Sequence, residues 1–189
     1  MSEAGVERGA GFLAATLKWL EMPRARRLSD DVGIGKTRVF RFGDRWDPYA
    51  LDSPLRIHGS VEDKSHVANL MGTPFWVEER AEMHASGLTR NSPFVSTYAD
   101  PLQAVNSEDP ILEGIAKTAP DLAVFDVPAN QLWLPQRYAM SRRETEQLFL
   151  EDGQKLGAHL VKWMENPYRV DDADLPPHLV HYVPDQYRR

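Results

Sequence analysis

Arg142-Arg143-Glu144-Thr145-Glu146-Gln147-Leu148-Phe149-Leu150 sets two carboxylates two residues apart and runs on into an apolar stretch. Read as extended chain, residues i and i+2 project from one face, so Glu144 and Glu146 reach into one space as a pair. Like charges side by side on a strand repel, and a chain that keeps them has a use for the pair. Read as a helix, Ser141-x-x-Glu144 is a capping box and the two glutamates do not face each other. We read 146–150 as a strand.

Working outward, Thr37-Arg38-Val39-Phe40-Arg41-Phe42 alternates and is β-rich, which predicts a second strand, closed by the turn signal Gly43-Asp44. Residues 43–60 carry Asp-Pro, Ser-Pro and glycines and read as loop. Helices are expected over 62–71 and 76–86. Phe94-Val95-Ser96-Thr97-Tyr98 is a short strand after Ser92-Pro93. A helical turn at 101–106 follows, then a helix over 109–118 with Pro110 in its first turn. Leu122-Ala123-Val124-Phe125-Asp126-Val127 is a strand ended by Pro128. After the Asp152-Gly153 turn, 156–163 is extended or helical. Near the N-terminus, Phe12, Leu13, Thr16, Leu17 and Leu20 suggest an amphipathic helix over 11–22, stopped by Pro23 and the basic run Arg24-Ala25-Arg26-Arg27. Helices and strands do not alternate strictly, so an α+β arrangement fits better than a doubly wound parallel sheet. The expected division is a helical extension over 1–36, a main domain over 37–170 and a tail over 171–189 packed on it.

The 189 residues suit one domain, and 42% hydrophobic with 26% charged residues is ordinary for a globular chain. The formal charge of -6 argues against a dedicated nucleic-acid binder. With no cysteine, thiol nucleophiles, disulfides and cysteine zinc sites are excluded. The histidines show no zinc-ligand spacing, so no metal is expected. No signal sequence or membrane span is expected either, which suits a cytoplasmic site of action. Gly33-Ile34-Gly35-Lys36-Thr37 ends like a phosphate-binding P-loop. Asp30 stands where that loop needs its first glycine, and a β-rich segment follows the lysine instead of a helix.

Three segments carry chemistry. Arg41 offers a rigid fork of donors suited to phosphate oxygens, although an arginine in an apolar strand is more often an ion-pair member. Ser96 and Thr97 offer small hydroxyls that bond a carboxylate and leave room for a flat ligand. Glu144 and Glu146 offer the paired carboxylates.

In this order the segments resemble the arginine–serine–glutamate class of mono-ADP-ribosyltransferases, which includes cholera-like and pierisin-like enzymes and many bacterial effector domains. The matching residues are Phe40-Arg41, Phe94-Val95-Ser96-Thr97 and Glu144-Thr145-Glu146, with Glu146–Leu150 and Gly153 continuing the pattern over about residues 37–162. Tyr98 replaces the last residue of the family's Ser-Thr-Ser element. No arginine lies between Arg90 and Arg137, so phosphate contacts fall to Arg41 or Arg45. Arg38 is a rival, but Arg41 follows an aromatic residue as in the family.

The resemblance implies a split β-sandwich of short strands with flanking helices. It implies cleavage of NAD between nicotinamide and ribose through an oxocarbenium-like transition state, and transfer of ADP-ribose to a macromolecule. By position, Glu146 steadies the cation and the ribose 2′-hydroxyl, Arg41 holds the pyrophosphate, and Ser96, with Thr97 beside it, orients Glu146 and borders the nicotinamide. Glu144 faces the acceptor, a protein arginine as first expectation. If the chain is a toxin or effector, an immunity protein is an expected partner. The rivals are an NAD glycohydrolase, a nucleic-acid ADP-ribosyltransferase disfavoured by the acidic balance, and a non-enzymatic interaction module displaying tryptophan and proline.

Overall fold

The computed structural model describes residues 21–138 and 145–188. The helix expected over 11–22 therefore falls almost wholly outside the described residues, as do Ser141 and Glu144. In chain order the elements are β1 (Arg26–Arg27), α1 (Leu28–Val32), β2 (Lys36–Gly43), α2 (Pro54–His58), α3 (Val61–Leu70), α4 (Pro74–Ala85) and β3 (Phe94–Tyr98). Then come α5 (Pro101–Val105), α6 (Pro110–Thr118), β4 (Asp121–Pro128), β5 (Leu132–Leu134), β6 (Glu146–Leu150) and β7 (Leu160–Glu165). The protein is mixed helix and antiparallel sheet, an α+β class.

Local chemistry explains the helix starts. Pro54, Pro74, Pro101 and Pro110 open four of them, where the missing N–H costs nothing. Ser53, Asp100 and Asp109 accept backbone N–H bonds as N-caps, and Ser60 with Asp63 forms a reciprocal capping box on α3. The short helix α2 lies inside the stretch expected to be loop. Lys36 opens a strand, and Gly33 closes α1 with φ 79°.

Among the described residues the sheet runs β1-β5-β6-β3-β2-β4-β7, with every pair antiparallel. The β2–β4 ladder is continuous from Lys36↔Pro128 to Gly43↔Asp121, and β3–β6 from Phe94↔Leu150 to Tyr98↔Glu146. Between β2 and β3 only Phe40↔Tyr98 pairs. The sheet is thus two halves that touch at one residue pair and part beyond it.

Both halves supply one core. Val39, Phe125 and Val127 from one half cluster with Val95, Leu132 and Phe149 from the other. On the reverse face of β3 and β6, Phe94 and Leu148 pack under Val77 and Ala81 of α4. Tyr98 on that same face packs with Ala104, Leu112, Val183 and Tyr187, from α5, α6 and the C-terminal segment. Ser96 falls between those two covers and is half-buried.

The boundary expected at residue 36 does not divide the structure. Ala25 and Leu28 are core residues, and Arg26 and Arg27 pair with β5. A basic run reads as solvated, yet here its backbone completes a sheet edge, a long-range choice that local pattern does not carry. The C-terminal segment buries Leu179, Val183 and Tyr187.

Candidate functional site

Where β2 and β3 part, the half-buried side chain of Arg41 fills the opening. Its Nε donates to the Ala50 carbonyl at 2.9 Å and its Nη1 to the Ser96 carbonyl at 2.7 Å. The side chain thereby takes a carbonyl of β3 that β2 leaves without a ladder partner. Among the described residues no carboxylate ion-pairs with it. Burial pushes its pKa below the ordinary value, against the opposing pull of Tyr98, Tyr187, Glu146 and Asp47. The guanidinium stays protonated at neutral pH, so the opening holds a fixed, poorly hydrated cation.

A cavity of about 560 Å³ opens beside it, lined by Arg41, Ser96, His84, Asp47, Tyr49 and Tyr187 among others. That size lies in the range of roughly 300–1,000 Å³ usual for ligand sites. A smaller cavity of about 160 Å³ shares Arg41, Phe42, Gln186 and Tyr187 with it.

Ser96 Oγ lies 3.1 Å from His84 Nε2, and His84 Nδ1 lies 2.7 Å from Ser92 Oγ. Sequence reasoning missed His84, because no motif ties a histidine on a helix to a serine on the following strand. The pair has the outline of a nucleophile and its base. Two features count against that use. The group behind the imidazole is a hydroxyl and not a carboxylate, and burial, with the charges of Arg41 and Arg80, holds His84 down to about 3. So weak a base is a poor acceptor for a serine proton at neutral pH.

Glu146 begins β6, half-buried, directly opposite Tyr98. It shares a face with Ser96 on the neighbouring strand, two residues along β6 from Leu148, Ser96's partner. Thr145 before it has φ 56°, a left-handed conformation that is costly for a β-branched residue. Its carbonyl accepts from Ala99 N at 3.0 Å and its Oγ1 from Asp100 N at 3.0 Å. The chain is therefore not extended at Thr145, and the simple same-face rule for Glu144 and Glu146 does not apply. Glu144 itself lies outside the described residues.

The remaining expected residues are placed elsewhere. Thr97 is fully buried and donates its hydroxyl to the Gln147 carbonyl at 2.6 Å, tying β3 to β6. Arg45 does not line the cavity of Arg41. Its Nε donates to Asp121 Oδ1 at 2.8 Å, and it borders a separate polar pocket with Trp46 and Arg169. Arg38 makes a two-point ion pair with Asp126 at 2.9 and 3.0 Å, away from the opening. The structure thus gathers Arg41, Ser96 and Glu146 on three adjacent strands and leaves Arg45 and Thr97 with structural partners.

Helix α4 ties this region to the segment that leads toward Glu144. Buried Glu82 accepts from Gln136 N at 2.7 Å and Arg137 N at 3.0 Å, and Arg137 ion-pairs with Glu79. Burial raises the Glu82 pKa, and the two amides oppose that rise.

Among the described residues, no group of three His, Asp or Glu side chains is arranged to hold a metal, and no helix is long and apolar enough to cross a membrane. The chain matches no protein-family model, no curated protein and no solved structure.

Proposed function

We propose that the protein is a mono-ADP-ribosyltransferase that cleaves NAD at the nicotinamide–ribose bond and passes ADP-ribose to a macromolecular acceptor, a protein arginine first. The observation that supports this reading is the adjacency of β2, β3 and β6, which carry Arg41, Ser96 and Glu146, with Arg41 and Ser96 lining one cavity. Two half-sheets closed over one core also favour the split β-sandwich that the sequence resemblance implies.

In this mechanism Arg41 binds the pyrophosphate through the face of its guanidinium not spent on Ala50 and Ser96. Ser96 and Glu146 line the ribose side. The glycosidic C–N bond breaks, and its electron pair leaves with neutral nicotinamide. The cation left at the ribose is steadied by the Glu146 carboxylate, a charge fixed before the bond breaks. The acceptor attacks the ribose carbon and gives its proton to a base, assigned to Glu144 by its place in the motif.

The test is incubation of the purified protein and its Glu146→Gln variant with labelled NAD and a cell lysate. Nicotinamide release and transfer of label to macromolecules, both lost in the variant, are expected. Release without transfer indicates a glycohydrolase. No release, together with no NAD-dependent rise in melting temperature, defeats the enzyme reading and leaves an interaction module.

A further inference from the structure

We propose that His84 is a positioning residue, whose Nε2–H holds Ser96 Oγ as an acceptor and so leaves the Ser96 hydroxyl free to donate into the cleft. The inference rests on the transferase reading only for the identity of the group that Ser96 meets there.

The assignment follows from counting protons in a chain of three hydrogen-bonded groups, closed at the Ser92 end. Ser92 is fully buried, and its Oγ accepts from Phe94 N at 3.3 Å. Its other contact is His84 Nδ1 at 2.7 Å. Among the described residues the Ser92 hydroxyl has no further acceptor. If Nδ1 carried the imidazole proton, Ser92 Oγ would receive two donors and its own O–H would be a buried donor with nowhere to go. The satisfied arrangement has Ser92 O–H donating to Nδ1. A neutral imidazole then carries its single proton on Nε2, and His84, held near 3, is neutral. Nε2–H therefore donates to Ser96 Oγ at 3.1 Å.

The proton of Ser96 is thereby directed away from α4. Among the described residues its hydroxyl has no other partner, and it lines the cavity beside Arg41. A hydroxyl directed this way as a donor suits an anionic or carbonyl oxygen: an oxygen of the bound substrate, or the Glu146 carboxylate on the same face, two residues along β6 from Ser96's ladder partner. The opposite tautomer would present only lone pairs and would repel a carboxylate. The His84 ring also packs edge-on against Phe94, with centroids 6.1 Å apart, which limits its rotation.

The test begins with ¹⁵N labelling of the histidine rings, the His84 signals being those lost in His84→Gln. At pH 7 and at pH 5 a bare Nδ1 and a protonated Nε2 are expected; an Nδ1–H tautomer overturns the proposal. Nicotinamide release is then compared in three variants. His84→Leu and Ser92→Ala are expected to lower kcat about tenfold, the scale of one oriented hydrogen bond, with KM for NAD unchanged. His84→Gln keeps an N–H donor toward Ser96 and is expected to stay within a few-fold of the parent. Unchanged kcat in Ser92→Ala, with folding intact by melting, overturns the positioning role. If the parent protein releases no nicotinamide, the transferase reading fails, and the ring spectrum alone still decides the hydroxyl's direction.

Discussion

Arg41 Nη1 donates to the Ser96 carbonyl at 2.7 Å across the point where β2 and β3 cease to pair. One side chain both props the two half-sheets apart and places its charge in the gap it maintains. A continuous ladder between these strands would have left no opening, and an alkyl side chain would have left it uncharged.

Arg41→Lys is expected to disrupt both roles. A lysine is a point charge on a flexible stem and cannot bridge the Ala50 and Ser96 carbonyls with one planar group. A loss of about 1–3 kcal/mol in stability is expected, with loss of any NAD-dependent melting shift. Arg38→Ala, which breaks only an exposed pair with Asp126, is expected to leave nicotinamide release unchanged. Thermal melts with and without NAD check the first outcome, and a release assay the second.

Stability is expected to fall with acid through His84. Its folded pKa is lowered to about 3, while an unfolded histidine titrates near its ordinary 6.5. Below 6.5 the unfolded chain binds a proton that the folded chain does not, so stability rises with pH and is lost as pH falls from 6.5 toward 3. The slope contributed is about 1.4 kcal/mol per pH unit. Urea midpoints of the parent and His84→Gln between pH 7 and 4 check it: the parent should show the steeper decline by one proton.

Glu82→Ala is expected to cost about 2–4 kcal/mol, because it leaves the amides of Gln136 and Arg137 without their buried acceptor. Since these residues lead into the segment before Glu146, turnover should fall as well. A lower urea midpoint at constant slope, beside a release assay, checks both.

Thr145→Val is expected to lose about 1–2 kcal/mol. Valine keeps the β-branch in the left-handed conformation but gives Asp100 N nothing to bond. Thr145→Asn, a residue that tolerates this conformation and carries an oxygen, should be closer to the parent in melting temperature.

Strands 94–98 and 146–150 were legible to the residue, because each is a short apolar run bounded by turn chemistry. Helices α3, α4 and α6 were expected within two residues of where they lie, α6 with Pro110 in its first turn. The strand pair β1 and β5 was not, since two and three residues carry no period of their own and pair only because a sheet edge is available. At the site, Arg41 and Glu146 were chosen because their segments resemble the family's motifs. Arg45 could not be set aside, because its partner Asp121 lies 76 positions away.

By itself the sequence determined the types of the longer elements and the rejection of the P-loop at Lys36, which depend on local propensity, side-chain alternation and turn residues. Arg41, Ser96 and Glu146 were chosen through the likeness of their segments to a family pattern. Only the tertiary structure decided that β2 and β3 touch at one pair, that His84 stands behind Ser96, and that Thr97 is spent on Gln147. Strand order, and the burial that withholds a proton from His84, arise from contacts between segments far apart in the chain. Local pattern carries no record of which distant group will be the neighbour.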